Sequence, residues 1–556
     1  MIKIVSSFFA LIIVLNTAYA QIAPPQNWIH LDKTEDGYMG ISSQKSYEDL
    51  LSDRAPQPVI VAIIDSGMDI EHEDLQGKIW INTNEIPGNG IDDDKNGYID
   101  DINGWNFIGG PNGNIHHETL EVTRLYSKLK ERYDSVEDPY NLSGKDKKEY
   151  AKYLKYKKEV ESKRASAQKN LDEVMETKEA YNSFLTALSI ELGDDKVLTP
   201  TRLEEIESED REITIGKQIM SDHFSRFPEP IDVDSFLMFV NEELESSVSR
   251  QTVQIDYQYN PEFKSRSIVG DDYSNPDDRY YGNNDVEGPD ALHGTHVGGI
   301  VGAVRGNGLG SDGIAQNVKL MSVRVVPDGD EHDKDVANGI RYAVDNGASI
   351  INMSFGKGHK WDKDAVDDAV RYAEKNDVLL VHAAGNSSLD IDTEDNFPTD
   401  KYDKAKGFLF WKKKKAKNWL EVGALSFMPE KEMVASFSNY GTGNVDIFAP
   451  GVQVHATVPD NNYMKLQGTS MAAPVVAGVA AVLRSHFPTL KAEQVKDILM
   501  KSAVKLDAKV VKPGTKDEMV PFSTLSISGG VVNLYEAIKM AKDVKGKKKI
   551  NKIKRA

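Results

Sequence analysis

From Pro56 to about Phe107, and again from about Ile268 to Asp543, short apolar runs alternate with stretches whose apolar residues recur at helical spacing. The runs are Val59 to Ile64, Lys319 to Val326, Ser349 to Met353, Val378 to His382, Trp419 to Leu425 and Val445 to Phe448. Each is four to eight residues long and rich in Val, Ile and Leu, as strands buried on both faces of a parallel sheet are. Two intervening stretches, Asp333 to Asp345 and Trp361 to Asn376, set Val336, Ile340 and Ala343, then Ala365, Val366, Ala369, Val370 and Ala373, at helical spacing. The alternation predicts an α/β fold: a doubly wound, mostly parallel sheet with helices on both faces. Such sheets bind ligands beyond the carboxyl ends of their strands.

Between about 116 and 257 the pattern changes. This region is dense in Lys and Glu, nearly lacks Gly, and repeats an apolar position every seven residues: Tyr153, Val160, Ala167, Val174, Tyr181 and Leu188. The second seam, Lys157, Arg164, Leu171, Lys178, Leu185 and Leu192, is half charged, which argues against a long free coiled coil. A helical hairpin or small bundle is expected, packed on itself or on the rest of the chain. The division is therefore 21–58 as an N-terminal segment, 59–115 and 258–543 as two parts of one α/β domain, 116–257 as a helical insertion and 544–556 as a basic tail.

Composition narrows the function. The chain has 556 residues, a net charge of −20, 40% apolar residues and no cysteine. The apolar share excludes a wholly disordered chain, and the missing cysteine excludes disulfides, thiolate metal sites and a lipid-modified N-terminal cysteine. The acidic excess argues against nucleic-acid binding, which needs net Lys and Arg, and suits a protein that holds cations. Lys3, the apolar run Ile4 to Leu15 and Ala18-Tyr19-Ala20 read as a secretory signal peptide over 1–20. That run is too short to span a bilayer, so a secreted or periplasmic protein is expected.

The chemistry gathers at strand ends. The first run discharges into Asp65-Ser66-Gly67; His293-Gly294-Thr295-His296-Val297-Gly298-Gly299 opens a small-residue helix; Val378 to His382 ends in Ala383-Ala384-Gly385-Asn386. Gly468-Thr469-Ser470-Met471-Ala472-Ala473-Pro474 leads into the apolar helix Val475 to Leu483. Ser470 is thus expected at a helix N-terminus, where free N–H groups favour an oxyanion, and Pro474 in a first turn that tolerates it. An acid, a histidine, an amide and a serine form a set for acyl transfer. With the order Asp, His, Ser and the closing Ser528 to Asn533 segment, the chain resembles the subtilase family of subtilisin-like serine endopeptidases.

The resemblance implies a secreted endopeptidase acting on protein or peptide substrates. It makes Ser470 the nucleophile, His293 the general base, Asp65 its orienting acid and Asn386 an oxyanion donor, with Ser354-Phe355-Gly356 as the edge that receives substrate backbone. His296 and His382 read as core residues. A sedolisin-like enzyme would carry glutamate in place of His293. A catalytically silent binding or scaffold protein on the same fold is the alternative.

Calcium is the second expectation. Asp92-Asp93-Asp94-Lys95-Asn96-Gly97-Tyr98-Ile99-Asp100-Asp101 matches the start of an EF-hand-type loop, with Asp92, Asp94, Asn96, the Tyr98 carbonyl and Asp100 as ligands. Asn103 stands where that loop needs a bidentate Glu. The family resemblance implies a further Ca²⁺ site between Asp74 and the 305–310 loop, with Asn307 as its side-chain ligand. Against the family pattern, the helical region and the acidic stretch Asp271 to Asp285 separate Asp65 from His293, a basic stretch runs from Lys401 to Lys417 around Trp411, and 21–59 is short for an inhibitory prodomain.

Overall fold

The computed structural model describes residues 23–193, 195–209, 211–225, 230–406 and 413–547. The expected signal peptide, Trp411 and Lys412 of the basic stretch, and the tail from 548 lie outside the described residues. The chain divides into two compact units, one of residues 122–263 and one of residues 24–121 together with 264 onward.

Nine strands form the large sheet: β1 Val59–Asp65, β2 Gly104–Asn106, β3 Val318–Arg324, β4 Ile350–Met353, β5 Leu379–Ala383, β6 Trp419–Leu425, β7 Ile447–Pro450, β8 Val504–Lys505 and β9 Gly530–Val531. Their order across the sheet is β8-β9-β7-β6-β5-β4-β1-β3-β2, and all neighbours are parallel except β8 and β9. Successive strand residues face opposite sides, and both sides are apolar. Val61 and Ile63 join a core with the helices Leu292–Gly302 and Thr469–His486, whereas Ala62 and Ile64 join a second core with Asp333–Asp345 and Lys363–Lys375. The expected doubly wound α/β fold is therefore observed. The chain builds β2 and β3 on one flank of β1 and then crosses to β4 on the other. That reversal is where such sheets open a crevice at the carboxyl ends, and Asp65 closes β1 there.

In the other unit, the helix Gly144–Leu192 runs for 49 residues. The heptad positions Tyr153, Val160, Ala167, Val174, Tyr181 and Leu188 are all buried. Its distal half packs with Val240 and Leu244 of the helix Val233–Val253 and Met220 of Arg211–Phe224, and Tyr153 stacks against Tyr126 and Tyr133. Two of the three charges in the second seam have partners: Lys157 reaches Asp134 and Lys178 reaches Glu245.

The unit begins six residues later than the sequence suggested. His117 pairs with Asp328 beyond the end of β3, which keeps 116–121 with the sheet. At the far end, Thr123 and Ser127 donate to the carbonyls of Gln258 and Pro261, which keeps 258–263 with the helices.

Candidate active site

Asp65 is buried and His293 is half-buried, with the imidazole Nδ1 2.6 Å from Asp65 Oδ1. A glycine permits this approach. A Cβ on Gly294 would stand 2.0 Å from the Gly67 carbonyl, so only glycine lets the His293 helix close on the end of β1. Burial pulls the His293 pKa down, but the charge and hydrogen bond of Asp65, with the charge of Asp290, lift it above the ordinary imidazole value. Nδ1–H faces the carboxylate, which leaves Nε2 as the basic nitrogen.

Ser470 is the second residue of the helix Thr469–His486. Its hydroxyl donates to the Ser354 carbonyl at 3.1 Å, and the Ser354 hydroxyl donates back to the Ser470 carbonyl at 2.8 Å. This corrects the sequence reading of Pro474. Because the helix starts at Thr469, Pro474 lies inside it, and its missing N–H is the one that would have bonded the Ser470 carbonyl. Ser354 supplies that donor instead. Asn352 donates to the Ser354 hydroxyl at 2.9 Å and so fixes it.

Asn386 is exposed at the mouth of the crevice. Its Oδ1 accepts from the backbone N–H and the hydroxyl of Thr469, both at 2.9 Å, so Nδ2 is the end turned away. Gly468 shows where it points: a Cβ there would meet Asn386 Nδ2 at 3.3 Å and the Ser470 backbone nitrogen at 3.5 Å. Two donors thus border one small volume that glycine leaves open, the layout of an oxyanion hole.

Several residues of this site carry no motif of their own. Thr469 also receives the Gly385 N–H on its hydroxyl. Asn439 accepts the N–H groups of Ser387 and Leu389 and donates to the Ala384 carbonyl, which holds the loop that carries Asn386. Asn396 donates to the same carbonyl, and its Oδ1 lies 3.2 Å from where a Gly356 Cβ would be. It therefore stands between 354–356 and 384–386. Phe355 is half-buried, Gly356 is exposed, and Lys357 bridges antiparallel to Phe397.

His296 and His382 are core residues, as read. His296 faces the carbonyls of Val454 and Met464, and burial lowers its pKa to about 4. His382 packs between Trp419 and the Glu421 carboxylate.

The two calcium candidates fare differently. In the 92–101 loop, one carboxylate oxygen each from Asp92, Asp94 and Glu85 lie within 4.8 Å of one another, an all-oxygen set of the kind Ca²⁺ takes. Glu85 lies outside the motif. Asn96 sits beside the cluster, its Nδ2 on Asp94 and Asp101, while the Tyr98 ring is buried. Asp100 is a correction: its carboxylate receives the N–H groups of Gly88, Asn89 and Gly90, so it caps that turn rather than pointing into the loop. At the second candidate, Asn307 Nδ2 donates to Asp74 Oδ1 at 2.7 Å, and its Oδ1 accepts the Leu309 N–H. Asp74 Oδ2 is buried with no hydrogen-bond partner among the described residues, and burial raises the Asp74 pKa. An unpaired buried carboxylate oxygen fits a cation.

Residues 57–523 match the model of the subtilase family, and the chain belongs to that family. It is 39% identical over 218 residues to subtilisin DY of Bacillus licheniformis, covering 38% of this chain and 71% of that protein. It is 35% identical over 233 residues to the thermophilic serine proteinase of Bacillus sp. (strain AK1), covering 42% of this chain and 50% of that protein. A cold adapted subtilisin-like serine proteinase of known structure aligns over 44% of this chain and 77% of its own, at 28% identity and a TM-score of 0.34. No helix among the described residues is long and apolar enough to cross a membrane.

Proposed function

We propose that the chain is a serine endopeptidase. The observation that carries this reading is the pair of donors, Asn386 Nδ2 and the Ser470 N–H, bordering the volume left open at Gly468; the base is the imidazole that Asp65 orients. Ser470 Oγ attacks the scissile carbonyl and passes its proton to His293 Nε2. The oxyanion is held by the two donors. His293 then protonates the leaving amine as the C–N bond breaks, and an ester remains on Ser470. Water, deprotonated by His293, attacks that ester, releases the carboxylic acid and restores the serine.

The resting hydroxyl rests on Ser354, so attack requires it to turn toward His293. Substrate backbone lies along Ser354-Phe355-Gly356, with the side chain before the scissile bond entering beside Asn396. We assign Ca²⁺ as a structural ion. Glu85, Asp92 and Asp94 would hold one ion, joined by Asn96 and the Tyr98 carbonyl, and Asp74 with the 305–310 loop would hold another. The leader-like residues 1–20 support export, outside the cytoplasm, where folding proceeds without disulfides.

The test is digestion of casein by the whole chain, with new termini mapped by mass spectrometry. Internal cleavages are expected. Intact casein after prolonged incubation with folded, calcium-supplied protein would overturn the reading in favour of a silent scaffold.

A further inference from the structure

His116 and His117 follow one another in the chain, yet their rings meet edge to face with centroids 4.0 Å apart. Asp328 bridges the chain at this point. Its N–H donates to the His116 carbonyl at 2.8 Å, and its carbonyl accepts the Glu118 N–H at 2.9 Å. Its carboxylate Oδ2 stands 2.9 Å from His117 Nδ1. One ligand atom from each of His116, His117 and Asp328 lies within 4.8 Å of the other two, and all three residues are half-buried.

We propose that His116, His117 and Asp328 form a binding site for a divalent cation of the zinc class. Two imidazoles and one carboxylate are the donor set of zinc sites that keep an open position, and imidazole selects zinc over the oxygen-seeking Ca²⁺ and Mg²⁺. Ligand atoms 2.0–2.1 Å from a tetrahedral ion stand roughly 3.3 Å apart. The 2.9 Å contact and the 4.8 Å limit bracket that value, so small side-chain rotations complete the site.

The local charges also favour it. Asp290 and Asp328 bring negative charge to His116, against the neighbouring His117 and the Arg324 guanidinium. That guanidinium is engaged by the carbonyls of Ser66 and Ile115 and by Asn106 Oδ1.

The position gives the ion a consequence. Arg324 pairs in register with Asp65 and holds the Ile115 carbonyl, the residue before His116. Three residues past Asp328, the Glu331 carbonyl accepts from Lys357, which follows the Ser354-Phe355-Gly356 edge. A bound ion would clamp 116–117 to Asp328 at the rim of the crevice.

The experiment is calorimetric titration of Zn²⁺ into the full chain bearing His293→Ala, which removes the one catalytic imidazole able to compete and makes the result independent of peptidase activity. Ca²⁺ is kept saturating. The expected result is one Zn²⁺ per chain, a raised melting temperature and visible absorption of a Co²⁺ substitute. His116→Ala and His117→Ala should each weaken binding at least tenfold. His116→Gln serves as a second variant, with metal-free melting as the control for folding. Binding no tighter than millimolar, or equal binding by folded His116 and His117 variants, would overturn the proposal.

Discussion

The hydroxyl of Ser354 and the carbonyl of Ser470 are joined at 2.8 Å, and the hydroxyl of Ser470 returns a bond to the Ser354 carbonyl at 3.1 Å. Ser354 thereby fills the acceptor that Pro474 leaves open inside the helix. Ser354→Ala should cost about 1 kcal/mol, the low end for stranding a carbonyl, since this one is part-buried, and lower kcat roughly tenfold through looser placement of the nucleophile. Pro474→Ala restores a helical N–H to that carbonyl, so in its background the stability cost of Ser354→Ala should shrink. Urea denaturation of the four proteins of this cycle measures it; equal costs in both backgrounds would refute the link.

Turnover should depend on pH through His293. Only the neutral imidazole accepts the serine proton, and Asp65 and Asp290 outweigh burial to hold its pKa above the ordinary value. Activity therefore falls as pH drops through that raised pKa. Asp290→Asn removes one raising charge and should move the acid limb to lower pH with little loss at the plateau. Asp65→Asn should move the limb the same way and also reduce kcat by about 10⁴, because the imidazole loses its orienting acceptor. A kcat/KM profile from pH 4 to 9, a span of roughly two units on either side of an ordinary imidazole, reads both effects.

The oxyanion donors give a third expectation. Asn386→Ala should lower kcat by about 10²–10³ with little change in KM. Gly468→Ala should do comparable damage without removing any donor, since its Cβ would occupy the volume between Asn386 Nδ2 and the Ser470 nitrogen. Steady-state kinetics on folded variants settles this; a Gly468→Ala enzyme with unchanged kcat would place the hole elsewhere.

Calcium removal separates two roles inside one acidic loop. Chelation should lower the melting temperature, and Ca²⁺ at about 100 times its Kd should return about 2.7 kcal/mol per site. Glu85→Gln and Asp92→Asn should shrink that recovery. Asp100→Ala should destabilise the protein equally with and without Ca²⁺, because its carboxylate serves the Gly88–Gly90 turn. Thermal melts with and without chelator distinguish the two classes.

Strand and helix positions were largely legible in the chain. Trp419–Leu425 and Asp333–Asp345 match the expected limits, and the other inner strands shift by one to two residues, since burial on both faces writes itself as apolar runs. The half-charged seam of the long helix was harder to read: Lys178 finds Glu245 across a neighbouring helix, a partner that periodicity cannot name. The same limit applies at the site. Asp65, His293, Asn386 and Ser470 stand in local motifs, but Glu85 and Asn396 lie just outside theirs and Asn439 reaches the Ala384 carbonyl from a loop distant in sequence. Asp100 misled for the converse reason: its place in the motif was right, and its left-handed backbone, φ 54°, turned it toward other amides.

In the proposed reaction Ser470 is a nucleophile activated by His293. The most direct measurement is labelling of the whole chain with a fluorophosphonate probe, with peptide mapping of the adduct. One probe per chain on Ser470 is predicted, with labelling and casein cleavage both abolished in a Ser470→Ala protein that melts as the parent does. Folded parent protein that takes no label, or a Ser470→Ala protein that still cleaves casein, would contradict the account.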